Sequence, residues 1–352
     1  MSGSRMAQDK ICVEVMLPHH AEQLASMKAK SNSQDHYDRL RAAFQTDKLW
    51  PEGTTIRYGF LGTGNQIPRT SIADLEDART HGGSVRPLDP LQKKLEGVPV
   101  TDAIRRIIKE RIQPIVGLKF VYVDNPKHAN VRIAFDPDGG AWSLVGTDCL
   151  HVKSKPTMNL GWYDVGTVLH EFGHVLGMVH EHQNPKGDDG HPNPIDWNDP
   201  KVYAWAAQTQ GWDKQTTEKN ILSKYANDQI NGSEFDPLSM MLYFFPKSLT
   251  LNNEGTHQNL RMSGTDVLWI NKMYPRSPET PQVFYQKTYG ISLPEALAAG
   301  KAAHTENSSS GGGISKKMLL IIIGSVVGVI AIGGFAWWFM KRYKRTGGRY
   351  GT

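Results

Sequence analysis

Three histidines and a glutamate stand at fixed intervals in His170-Glu171-Phe172-Gly173-His174-Val175-Leu176-Gly177-Met178-Val179-His180. No other stretch constrains the fold as tightly, because one backbone path must bring all three imidazoles to a point. An α-helix turns about 100° per residue, so His170 and His174 stack on one face, one turn apart. Val165, Val168, Leu169, Phe172, Val175, Leu176 and Val179 recur at helical spacing, and their stripe lies opposite the histidines. One face is therefore expected to pack into a core. The other should present the imidazoles, with Glu171 beside them, to a cleft. Gly173 lies near the histidine face and adds no side chain there. A continued helix would carry His180 on the order of 9 Å past His174 and onto the wrong face. Gly177 supplies the break, because glycine accepts the left-handed conformation that turns a chain at a helix end. His180 can then swing back.

The residue types name the chemistry. A bare H-E-x-x-H turns up by chance on exposed amphipathic helices. Here the added glycine, the third histidine and the agreement of helix faces point to a metal held by His170, His174 and His180. Three neutral imidazoles suit one Zn2+ per chain and leave a position open for water. Zinc lowers the pKa of that water to about 7. Glu171 cannot easily be a ligand while its neighbour His170 is one, and it sits where it can take the water's proton. There is no G-x-S-x-G elbow, and Cys149 has no local signature of a catalytic thiol.

A second element lies downstream, in Asp236-Pro237-Leu238-Ser239-Met240-Met241-Leu242-Tyr243. Read alone it is an apolar strand with a core methionine. Beside the histidine pattern, Ser239-x-Met241-x-Tyr243 resembles the Met-turn of metzincin zinc proteases, in the form used by the astacin branch. The resemblance implies that Met241 forms a hydrophobic floor beneath the histidines and that Tyr243 lies near the metal as a donor to the oxyanion. Further stretches add to it: Trp142 to Asp148, Thr157 to Trp162, His180 to Pro185, and Met262-Ser263-Gly264-Thr265-Asp266 followed by Tyr274-Pro275. They look like parts of microbial-type astacin-like proteases, over roughly residues 45 to 276. The likeness departs from animal astacins, whose catalytic domain has two disulfides, because this chain has only Cys12 and Cys149.

The implied fold is α+β: a two-lobed metzincin domain with a mixed twisted sheet, an active-site helix and a cleft between the lobes. The pattern along the chain agrees. Thr54 to Leu61, Leu118 to Asp124, Asn130 to Asp136 and Thr157 to Trp162 read as strands. Thr101 reads as the N-cap of a helix carrying Ile104, Ile107, Ile108 and Ile112. Helical patterns return at Lys201 to Gln210, Asp213 to Tyr225 and Thr265 to Met273. Residues 1–45 form an N-terminal extension, either a propeptide or an extra helix. Residues 46–276 are the catalytic domain. Residues 277–317, rich in Pro, Ala, Ser and Gly, read as a flexible stalk.

Met318 to Met340 is an uncharged, mostly apolar run, long enough to cross a hydrocarbon core of about 30 Å as a helix. Aromatic residues cluster at its C-terminal end, as they do at membrane interfaces. Gly324 and Gly328 form a G-x-x-x-G pair, which suits a helix-mediated homodimer but is also common in membrane helices. Five of the basic residues that give the net charge of +5 lie in the tail 341–352, namely Lys341, Arg342, Lys344, Arg345 and Arg349. They account for the whole excess, so there is no basic body to hold nucleic acid. The positive-inside rule then puts the tail in the cytosol and the catalytic domain outside it. The sequons at Asn231 and Asn307 agree with that orientation. The absence of a signal-like apolar run in the first twenty residues favours a tail-anchored, cytosolic enzyme instead.

The sequence thus predicts a membrane-anchored zinc endopeptidase acting on proteins or peptides. Two alternatives stay open: an inactive binding module on the same fold, and a zinc hydrolase of a non-peptide bond.

Overall fold

The computed structural model describes residues 13–15, 44–78, 86–186, 193–225, 230–231 and 234–308. Cys12, the expected membrane span at 318–340 with Gly324 and Gly328, and the basic tail lie outside these residues. Among the described residues, no helix is long and apolar enough to cross a membrane.

The strands are β1 (Val13–Val15), β2 (Phe44–Gln45), β3 (Thr55–Phe60), β4 (Lys119–Tyr122), β5 (Val131–Ala134), β6 (Trp142–Leu144), β7 (Met158–Asn159) and β8 (Ile230–Asn231). The helices are α1 (Ile72–Ala78), α2 (Leu91–Lys94), α3 (Val100–Ile107), α4 (Val165–Val175), α5 (Asp199–Thr209), α6 (Lys214–Thr217), α7 (Gly264–Met273), α8 (Thr280–Tyr289) and α9 (Leu293–Ser308). Six strands form one mixed sheet in the order β1-β6-β7-β5-β3-β4. All its pairings are parallel except β6 on β7, where Trp142 faces Asn159. β2 and β8 make a separate antiparallel pair.

Alternation in β3 buries Ile56 and Tyr58 while Arg57 is exposed. Phe172 of α4 packs edge-on against Tyr58 and Phe120, with ring centroids 6.4 and 6.0 Å away. In α3, Val100, Ala103, Ile104 and Ile107 are buried, and a wider π-turn carries the same face on to Ile112. Thr101 is not its cap: the helix starts one residue earlier, after Pro99. A smaller apolar cluster of Val202, Ala206, Ile221, Tyr243, Phe245 and Leu249 forms on its own, apart from the large sheet-and-helix core.

Two expectations need correction. The first is that Phe44 and Gln45 belong to the fold rather than to an extension, because Phe44 is fully buried and Gln45 N–H donates to the Gly177 carbonyl at 3.0 Å. Just after them, Lys48 makes a buried ion pair with Asp148 at 2.7 Å.

The second is that residues 277–308 are not a stalk. They form α8 and α9, joined at Gly290 in the left-handed conformation (φ +73°). Phe284 and Tyr285 are buried in the main core. Tyr285 Oη donates to the Met262 carbonyl at 2.8 Å. Tyr289 Oη donates to Asp89 at 3.0 Å, where the Arg111 guanidinium grips the same carboxylate. Ala296 of α9 packs on Gly264 so closely that a Cβ on Gly264 would meet it at 3.0 Å. A composition rich in Ala and Pro hid a few aromatic anchors at helical spacing. Replacing Tyr285 by alanine should therefore cost about 3–5 kcal/mol, as for other large buried rings. Urea unfolding checks this, and a flexible stalk would show no change.

Candidate functional site

Helix α4 is built to end where the third histidine needs it to end. Asp164 caps its start, accepting from the Thr167 N–H at 2.8 Å and the Thr167 hydroxyl at 2.9 Å. At the other end Gly177 sits at φ +89°. Its N–H donates to the His174 carbonyl at 2.8 Å, and the Met178 N–H reaches back to the Gly173 carbonyl at 2.9 Å. This is the doubly bonded left-handed helix stop that glycine favours. The carbonyls left over are taken by two distant side chains. Trp50 Nε1 donates to Val175 O and Tyr274 Oη to Leu176 O, each at 2.7 Å. The chain then turns back, and His180 faces the other two rings.

The three side chains meet. One ring nitrogen from each of His170, His174 and His180 lies within 4.8 Å of the others. Nδ1 of His170 lies 2.8 Å from the Met240 carbonyl and Nδ1 of His174 lies 2.9 Å from the Met178 carbonyl. A carbonyl can only accept, so both Nδ1 atoms carry the proton and both Nε2 atoms offer lone pairs. His170 Nε2 is buried with no hydrogen-bond partner among the described residues. The Nε2 atoms of His174 and His180 are 3.0 Å apart. Four-coordinate zinc with bonds of 2.0–2.1 Å would hold such nitrogens about 3.3 Å apart. The donor set therefore fits that ion with little movement. Burial also pushes the His170 pKa down to about 4 and those of His174 and His180 well down, which keeps the imidazoles neutral as ligands must be.

Every residue of α4 is buried, its histidine side included. The segment 239–243 packs against that side. Met241 is fully buried, and its Sδ occupies the space a Cβ on Gly173 would need. That contact, invisible in the sequence, gives the glycine inside the histidine pattern its reason. Tyr243 Oη lies 2.5 Å from His180 Nε2, and its ring stands 4.9 Å from that of His170. Glu171 is fully buried on the same helix. Cys149 is remote in kind: burial pushes its thiol up to about 12, so it is no nucleophile at neutral pH.

Sequence reasoning missed several neighbours. Glu181 and His182 follow the last ligand directly and are both buried. His182 stacks on the His180 ring at 5.3 Å, and burial pushes its pKa down to about 3. Glu181 accepts from Asn184 Nδ2 at 3.0 Å and from the Asp236 N–H at 2.9 Å, and burial pushes its carboxyl up. Asp266, on α7, accepts from the Ser239 hydroxyl and the Met240 N–H, each at 2.8 Å. Burial, then nearby Asp236, raises its pKa to about 6. The Ser263-x-x-Asp266 capping box was a readable signal for this acid, though not for its reach to the turn.

The metal assignment predicts about one zinc per purified chain and loss of that zinc in His180→Ala. Metal analysis of both forms checks it. Full occupancy with unchanged affinity in the variant would remove His180 from the ligand set.

Known proteins resemble this chain. The family model described as Astacin, a peptidase family, matches residues 100–275, half of the chain. Zinc metalloproteinase nas-4 of Caenorhabditis elegans is 28% identical over 167 residues, covering 45% of this chain and 48% of that protein. The chain thus spans about half the length of the curated relative it matches. A solved structure of myroilysin superposes with a TM-score of 0.51 at 27% identity, covering 66% of this chain and 98% of that one. A crystal structure of myroilysin, at 24% identity, covers 76% of this chain and 100% of its own with a TM-score of 0.42. With half its length matched around a three-histidine centre suited to zinc, the chain belongs to the astacin family of peptidases.

Proposed function

We propose that this chain is a zinc-dependent endopeptidase that cleaves proteins or peptides with Glu171 as general base and Tyr243 as oxyanion donor. The observation that carries the reading is the convergence of His170, His174 and His180 within 4.8 Å, with Glu171 on the same helix and Tyr243 against His180. Zinc held there supplies Lewis acidity and makes water nucleophilic at neutral pH. Glu171 takes the proton from the attacking water as its oxygen bonds to the scissile carbonyl carbon. It then passes that proton to the amide nitrogen as the C–N bond breaks, leaving a free amine and a carboxylic acid. The Tyr243 phenol donates toward the carbonyl oxygen as negative charge develops there. Met241, packed against Gly173, is placed to form an apolar floor beside the ligands. An inactive binding module would have no use for Glu171 and Tyr243 in these places.

Glu171→Gln keeps the shape but loses the base. The variant should retain zinc and lose at least about a hundredfold in peptide hydrolysis. Tyr243→Phe should lose about ten- to a hundredfold, chiefly in kcat, because its donor acts in the transition state. Both are read on a broad peptide library. Parent-rate cleavage by Glu171→Gln sinks the base assignment, and a parent that cuts no peptide favours a non-peptide bond.

The apolar run 318–340 with its basic flank supports a second element of the reading, a single membrane span with the catalytic domain outside the cytosol. Because α9 extends to Ser308, the anchor can be removed only beyond it. Deleting residues 309–352 should release a soluble, active enzyme, whereas the full chain should need detergent for extraction. Protease added to intact cells should digest the domain. Protection until the membrane is opened would reverse the orientation.

A further inference from the structure

A continuous line of hydrogen bonds runs from a carboxylate on α7 to the first metal ligand. Asp266 accepts from the Ser239 hydroxyl at 2.8 Å. Ser239 Oγ in turn accepts from the Met241 N–H at 3.1 Å. That N–H and the Met240 carbonyl belong to one peptide group, and the carbonyl accepts from His170 Nδ1 at 2.8 Å. The other oxygen of Asp266 accepts from the Met240 and Ser263 N–H groups, each at 2.8 Å. All three groups donate, so the side chain serves them as a carboxylate.

We propose that Asp266 is a positioning residue of the metal centre, acting on His170 through Ser239 and the Met240–Met241 peptide. The proposal rests on the assignment of His170 as a zinc ligand. Capping α7 needs only the bond to the Ser263 N–H. The two bonds to Ser239 and Met240 cross 27 and 26 residues to reach the turn, and the cap has no need of them. Their effect lies on the other side. A negative charge at one end of aligned dipoles strengthens each bond along the line. The Met240 carbonyl becomes a better acceptor, which fixes the Nδ1–H tautomer and makes Nε2 a stronger donor to metal. Two bonds from Asn259 Nδ2, to Pro237 O at 3.0 Å and Ser239 O at 2.8 Å, hold the turn from a further side. The pair α8 and α9, which extends beyond the family match, packs over this end of α7 through Ala296 on Gly264. Asp266 is almost wholly removed from solvent, and its bonds act where water does not screen them.

The test is zinc affinity of the full chain by competition with a chelator, with thermal unfolding of the metal-free form alongside. Ser239→Ala and Asp266→Asn should each weaken zinc binding about 10–100-fold, the usual loss when a partner behind a ligand is removed. Acting on one line, the two changes combined should be no worse than the stronger single one. Ser263→Ala removes the α7 cap but not the line, so it should lower Tm and leave zinc affinity as in the parent. If Asp266→Asn does not fold, Ser239→Ala decides alone. Parent affinity in Ser239→Ala overturns the proposal, and so does a loss in Ser263→Ala as large as in Asp266→Asn. A parent chain that takes up no zinc overturns the ligand assignment itself.

Discussion

The left-handed turn at Gly177 is the constraint on which the metal centre depends. It stops α4 directly after His174 and sends the chain back so that His180 can face His170. Parts of the chain remote from the turn hold it in place. Trp50 comes from the segment before β3 and Tyr274 from the end of α7, and each donates to a carbonyl that the helix end would otherwise leave unsatisfied. Gln45 binds the Gly177 carbonyl itself. The turn is local in sequence, yet its partners span most of the folded chain. Such a turn is rigid because each of its polar groups is already committed.

Dryness is the second theme. All three ligands are buried, and the groups behind them are buried too. Removing water keeps the imidazoles neutral and leaves each polar atom dependent on one fixed partner. The Met240 and Met178 carbonyls decide which nitrogen of His170 and His174 points to the metal. Met241 fills the space beside Gly173 with an apolar side chain that competes for no proton. A buried polar group in such a place costs stability unless it is satisfied. The dense hydrogen bonding around Glu181, Asp236, Ser239, Ser263 and Asp266 offsets that cost.

The C-terminal helices show how composition can mislead. Residues 277–308 have the Ala, Pro and Ser content of a linker. Yet Phe284, Tyr285 and Tyr289 stand within two turns of one helix and dock into the core and onto Asp89. Average polarity describes a segment's mean exposure. A few large rings are enough to decide whether it packs, because each buries far more area than the residues between them.

Local rules were enough for part of the structure. The helix through His174, its break at Gly177, the return of His180 and the apolar rhythm of β3 and α3 all follow from spacing, since each depends on residues a few positions apart. Family likeness added Met241 and Tyr243, which spacing alone could not place. Only the tertiary structure decided that Met241 fills the space above Gly173, that α4 is buried on every side and that Asp266 reaches the Met240 turn. It also decided that Phe44 and residues 277–308 belong to the core. Each of these is a contact between segments far apart in sequence. Periodicity shows that a residue has an apolar or polar face to satisfy, but the partner that satisfies it is chosen by how the whole chain packs.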